Sequence, residues 1–280
     1  MEKFIFKIDN KEFEFPTDGA PEFRYGGKDV VSALETDITF GQKWYKSGYS
    51  IFNFLEEEEF HHLKEGLTNS VEKIIREELG INTNGFRLES YHEYVTSDED
   101  HYKVILKTRD LYLREFKFLF ETLFRKFEDH IGFGLTDIDP KTKEPIYIIV
   151  RINRPGSNDF NPPHKDVYHF MDGPDSYIPQ FLNIWIPISG VTPKSSLPLV
   201  ESSHLLPESS ILRTTEGGVI GKNKYNVRMV KEWAKSNQLK RTKVTYGEAL
   251  IFSSHLVHGL AVNEEQDTTR VSLEFRLFKK

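Results

Sequence analysis

Apolar residues recur at helical spacing in two stretches of the chain. Phe60, Leu63, Leu67, Val71, Ile74 and Ile75 share one face of a helix that the pattern ends near Gly80, a residue suited to a left-handed C-cap. Leu113, Phe116, Phe120, Leu123, Phe127 and Ile131 repeat the spacing, with Gly132 behind them. The acidic run Glu56–Glu59 stands where the first helix begins, next to the positive end of its macrodipole, and reads as a solvated first turn. His61 and His62 read as surface residues of the same helix. Short β-like runs, Phe4-Ile5-Phe6 and Phe13-Glu14-Phe15, precede the helices. After about residue 145 the character changes. Ile146–Ile152, Phe181–Ile188, Leu197–Val200, Ala249–Phe252 and Val271–Phe278 are apolar runs between turn signals such as Arg154-Pro155-Gly156 and Tyr246-Gly247-Glu248. Helices first and strands afterwards predict a mainly β protein, a sandwich or barrel with flanking helices. One domain over 1–280 is expected, with 1–144 as a helical and mixed buttress and 145–280 as the β core.

Composition narrows the chemistry. The 280 residues include no cysteine, which excludes a disulfide framework, a zinc ribbon, a thiolate-held iron–sulfur cluster and a cysteine nucleophile. Any metal must be held by His, Asp or Glu. A net charge of −6 argues against nucleic acid as a partner. The N-terminus, Met1-Glu2-Lys3-Phe4-Ile5-Phe6-Lys7, lacks the apolar region of a secretory leader, and no run approaches the roughly 18 apolar residues of a membrane span. A cytoplasmic protein acting on a small molecule is expected, with its oligomeric state open.

The chemistry concentrates in two segments. Asn161-Pro162-Pro163-His164-Lys165-Asp166 holds a histidine and an aspartate two positions apart, which an extended backbone points to one side. Taken alone, His-x-Asp is common. The second segment runs from Tyr246 through an apolar strand to His255, His258 and Gly259, with Arg270 twelve residues after His258. Together these residues resemble the iron(II)- and 2-oxoglutarate-dependent oxygenases, especially the phytanoyl-CoA dioxygenase-like branch. The resemblance covers roughly residues 145–278, with a weaker echo at Trp44–Leu55.

The resemblance implies a double-stranded β-helix core (jelly-roll, cupin-like). It implies His164, Asp166 and His258 as the catalytic metal ligands, two imidazoles and a carboxylate on one face of an octahedral iron(II) with three positions left open. It further implies 2-oxoglutarate and dioxygen as cosubstrates, release of succinate and CO2, and hydroxylation of the substrate. With Asp166 present, the position that the family's halogenases open for halide is filled. Arg270 would receive the far carboxylate of 2-oxoglutarate through its planar fork, with Arg276 as the second candidate. Leu260 stands where relatives often carry a hydroxyl residue. Trp185, Asn183 and Arg151 are the remaining cosubstrate candidates. His255 competes with His258 for the ligand position, and the spacing to Arg270 favours His258. His204 reads as structural.

Candidate substrate residues are Asn153, Tyr168, Lys222, Lys224 and Arg228, with His169 beside them at the site mouth. Between Lys222 and Lys243 there are eight basic residues and one acidic, a local charge of +7 that would gather an anion. A solvated helix around Trp233 accounts for the same segment. A small anionic or polyhydroxylated metabolite is the expected substrate. Two other classes stay open: a non-catalytic jelly-roll binding protein, and a cupin-like metal isomerase or hydrolase that does not use 2-oxoglutarate.

Overall fold

The computed structural model describes residues 2–112, 117–168, 178–220 and 223–280; side chains at 117–122, 220, 223 and 224 lie outside that description. The chain opens with β1 (Glu2–Ile8) and β2 (Lys11–Thr17), followed by β3 (Phe23–Tyr25) and β4 (Tyr49–Asn53). Four helices come next: α1 (Glu57–Leu79), α2 (Tyr91–Tyr94), α3 (Asp98–Thr108) and α4 (Lys117–Ile131). The strands that follow are β5 (Leu135–Thr136), β6 (Ile149–Asn153), β7 (Phe181–Ser189), β8 (Pro198–Leu199) and β9 (Ile211–Thr214). A hairpin of β10 (Gly218–Ile220) and β11 (Asn223–Tyr225) leads to β12 (Val230–Trp233), β13 (Gln238–Arg241), β14 (Glu248–Ser253) and β15 (Arg270–Lys279). No described helix is long and apolar enough to cross a membrane.

The largest sheet runs β4-β14-β7-β15, with both β5 and β6 paired to the free side of β15. Its strands show why the sequence reads as continuous apolar runs. Leu182, Ile184, Ile186 and Ile188 of β7, and Val271, Leu273, Phe275 and Leu277 of β15, face the helices. There they meet Leu63, Leu67, Val71 and Ile75 of α1 and Phe127 of α4. The alternate positions face inward. Trp185, Leu250 and Phe252 pack there against Leu199 of β8, which belongs to a second layer ordered β2-β1-β13-β8. A third sheet, β12-β9-β3, continues that layer and shares an apolar cluster with β1. These layers form the jelly-roll core, with helices on one face.

Helix α1 follows its pattern. The Glu59 carboxylate accepts a hydrogen bond from the Glu56 backbone N–H at 2.8 Å, and Gly80 closes the helix at φ 66°. In the second helical stretch, Leu113 and Phe116 lie outside the described residues, as does the side chain of Phe120.

Two expectations change. The first 53 residues do more than buttress the core, because β4 pairs with β14, β3 with β9, and β1 runs parallel to β13. Trp233 lies on strand β12 instead of a helix. Both Trp233 and Val230 are buried in the β1 cluster, so long-range pairing decides the conformation there.

Candidate metal centre

His164 and His258 are brought together by main chain. The His164 N–H donates to the His258 carbonyl at 2.8 Å, and the His258 N–H returns a bond to the His164 carbonyl at 2.9 Å. One turn further along, the Asp166 N–H reaches the Ser254 carbonyl at 3.1 Å. The sequence reading carried β14 straight into His258. The strand instead ends at Ser253, and a turn over residues 254–256 intervenes. That turn aims His255 away from the centre, its Nε2 hydrogen-bonded to the Thr36 carbonyl at 2.9 Å. Gly259 follows with φ 118°, and a Cβ there would meet the Pro162 carbonyl oxygen at 2.5 Å and the His164 ring at 3.0 Å. The histidine–glycine pair is therefore a packing requirement of the site.

The donors converge. Atoms of His164, Asp166 and His258 all lie within 4.8 Å of one another. No other group of three such residues among those described does so. The Nδ1 of His164 bonds the Pro162 carbonyl at 2.7 Å, and the Nδ1 of His258 bonds the Leu256 carbonyl at 2.9 Å. A carbonyl can only accept, so each Nδ1 carries the proton and each Nε2 presents a lone pair. The two Nε2 atoms stand 4.0 and 3.7 Å from Asp166 oxygens. Burial, aided by His258, pulls the His164 imidazole down to about 3, which keeps it neutral and able to ligate. Burial alone would raise the Asp166 carboxyl. Arg276, both imidazoles and the Asn183 amide outweigh it and hold that carboxyl well below the ordinary range. Arg276 donates to Oδ1 at 2.9 Å and Asn183 Nδ2 to Oδ2 at 2.6 Å.

Trp185 and Arg270 lie on the inward face of the large sheet. Arg270 is 1% exposed, donates to the Ser272 hydroxyl at 2.7 Å, and has no carboxylate partner among the described residues. Its Nε and the Nε1 of Trp185 are buried without a partner among the described residues, and the guanidinium carbon lies 6.0 Å from the centre of the Trp185 ring. Burial brings the guanidinium down to about 10, so it remains a cation. Two imidazole lone pairs and a carboxylate suit a divalent ion, and a buried unpaired guanidinium suits an anionic group.

The other candidates take different places. Asn183 donates one amide N–H to Asp166. Arg151 is ion-paired through Nε to Glu274 at 2.8 Å, and its charge is felt at both Asp166 and His164. Asn153 donates to the Asp159 carbonyl while its own Oδ1 is buried with no partner among the described residues. The Tyr168 hydroxyl donates to the Arg228 carbonyl at 3.1 Å and accepts from the Lys165 N–H at 3.0 Å. Arg228 also stacks over the Tyr168 ring at 5.3 Å. Lys222 and His169 lie outside the described residues, as does the side chain of Lys224. Elsewhere in the basic segment, Lys231 stands over Phe4 and Phe23, and Arg241 is buried against Glu264. His204 bonds the Tyr45 carbonyl at 2.6 Å, and His61 and His62 are exposed.

Sequence reading missed the charge behind the ligand loop. Lys165, between the two ligands, is buried against Glu208, which also pairs with Arg213 at 3.1 Å. Nothing local marks Glu208 as its partner, 43 residues along the chain.

No family model and no curated protein matches the chain. Among solved structures, AviO1 from Streptomyces viridochromogenes Tue57 aligns over 89% of this chain and 97% of its own, at 14% identity and TM-score 0.46. The epimerase SnoN in complex with Fe3+, alpha ketoglutarate and nogalamycin RO aligns over 85% and 81%, at 13% identity and TM-score 0.44. EctD from S. alaskensis with 2-oxoglutarate and 5-hydroxyectoine aligns over 95% and 86%, at 10% identity and TM-score 0.47. The chemistry of this chain rests on its own donor set.

Proposed function

We propose that the chain is a non-haem iron(II)- and 2-oxoglutarate-dependent oxygenase that oxidises a small molecule, with hydroxylation as the reaction. The observation that carries the reading is the convergence of His164, Asp166 and His258, both histidines held with Nε2 free. His164 and His258 present neutral nitrogens, and Asp166 presents a carboxylate kept ionised by Arg276 and Asn183. Arg270, with Trp185 beside it, receives the distal carboxylate of the cosubstrate. Bound there, the iron and 2-oxoglutarate supply oxidative decarboxylation to succinate and CO2, coupled to oxidation of a substrate C–H bond. Burial around Arg270 excludes water, which strengthens its hold on a carboxylate.

Iron(II) added anaerobically with 2-oxoglutarate should give a weak visible charge-transfer band, and air should then release succinate. A protein that holds iron yet shows neither signal would overturn the reading in favour of a metal isomerase or hydrolase. One that holds no metal would be a binding protein.

A further inference from the structure

The inward side chains of β15 are closed at Arg270 and Ser272, open at Glu274 and Arg276, and closed again at Phe278, which is 3% exposed. Arg270 is 1% exposed and Ser272 fully buried, whereas the side chains of Glu274 and Arg276 are 22% and 40% exposed. At about 3.3 Å per residue, the strand runs roughly 20 Å from Arg270 to Arg276. Arg151 reaches the same open stretch from β6, with its side chain 34% exposed. Arg276 contacts Asp166 directly, and Arg151, in register with Ser272, stands between Arg276 and Arg270, with its charge felt at both Asp166 and Arg270. Arg276 is fixed by one N–H to Asp166 and by its plane, 4.7 Å from the centre of the Phe181 ring. Arg151 is fixed by one N–H to Glu274. Their other N–H donors have no partner among the described residues. An arginine pinned at one edge, with the rest of its fork unused and partly open to solvent, is a preorganised receptor for a compact anion.

We infer that the mouth of the barrel selects a substrate bearing a carboxylate or phosphate, received by Arg276 and Arg151; this rests on the oxygenase reading for the word substrate. Charge on the substrate is read beside Asp166, and the cosubstrate's own carboxylate is kept apart at Arg270. Arg276 is a strong point for discrimination because its stacking on Phe181 also offers an apolar surface next to the anion. Lys231, seated on Phe4 and Phe23, takes no part.

The test uses zinc-loaded full-length protein with 2-oxoglutarate bound, titrated calorimetrically with acetate, inorganic phosphate and neutral acetamide. Acetate or phosphate should bind and acetamide should not; which anion binds more tightly tells carboxylate from phosphate. Arg276→Gln and Arg151→Gln should each weaken that binding about tenfold, the cost of one charge-assisted hydrogen bond. Arg276→Lys should recover part of it, and Lys231→Gln should leave it unchanged. Metal content is measured in each variant, and Arg151→Gln leaves the bond to Asp166 in place. Absent anion binding, equal binding of acetamide, or unchanged affinity in both glutamine variants overturns the proposal. So does a parallel loss of 2-oxoglutarate affinity, which assigns the arginines to the cosubstrate. If 2-oxoglutarate does not bind the zinc form, the oxygenase reading falls, and the same anion titration on metal-free protein decides the receptor by itself.

Discussion

His164 and His258 exchange backbone hydrogen bonds in both directions, at 2.8 and 2.9 Å, so two candidate ligands 94 residues apart are held together by main chain alone. Gly259 makes that approach possible. Gly259→Ala should force the Pro162 carbonyl and the His164 ring apart and add the strain of a left-handed residue, about 1–3 kcal/mol. We expect cobalt(II) affinity to fall by about 10- to 100-fold with the fold retained, read by metal titration and circular dichroism. Unchanged affinity would show that the glycine does not set the ligand spacing.

Arg270→Lys keeps the charge and loses the fork. The 2-oxoglutarate concentration for half-saturation should rise at least about tenfold while bound iron stays the same. An unchanged requirement removes Arg270 from the cosubstrate role and leaves Arg276 as the alternative.

Acid should loosen the fold through buried histidines outside the candidate ligand set. Burial pulls His101 and His255 down to about 4 from an ordinary value near 6.5. Below that ordinary value the unfolded imidazole takes up a proton that the folded one refuses. Stability is therefore complete above about pH 7 and falls as pH drops from 6.5 toward 4, by about 1.4 kcal/mol per pH unit for each such group. Tm measured at pH 7, 6 and 5 should show this decline, with a shallower slope in His101→Gln. Equal slopes would place the acid sensitivity elsewhere.

The charge behind the ligand loop makes an asymmetric prediction. Glu208 stands between Lys165 and Arg213, with all three side chains at most 2% exposed. Glu208→Gln strands two buried cations and should cost about 3–5 kcal/mol in denaturant unfolding. Lys165→Met leaves the Glu208–Arg213 pair intact and should cost clearly less. Equal costs would mean that packing, not charge, governs the cluster.

The sequence by itself determined whatever depends on period and spacing. The 3.6-residue repeat located α1 and its Gly80 cap, and the two-residue alternation of β7 put Leu182, Ile184 and Ile186 on the face opposite Asn183 and Trp185. His-x-Asp, a long gap, His-Gly and an arginine are local strings, legible without a fold. Tertiary structure decided which polar groups meet. Arg276 belongs to Asp166, Arg151 to Glu274 and Lys165 to Glu208, across 110, 123 and 43 residues. Buried charge is tolerated only where a partner arrives, and sheet register delivers that partner from a distant strand. The basic run at 222–243 shows the same limit from the other side. Its composition suggested one functional patch, and the fold spreads its described members over β11, β12, β13 and the turns between them, whereas Arg276 and Arg151, which the sequence offered only as cosubstrate candidates, find Asp166 and Glu274 as their partners.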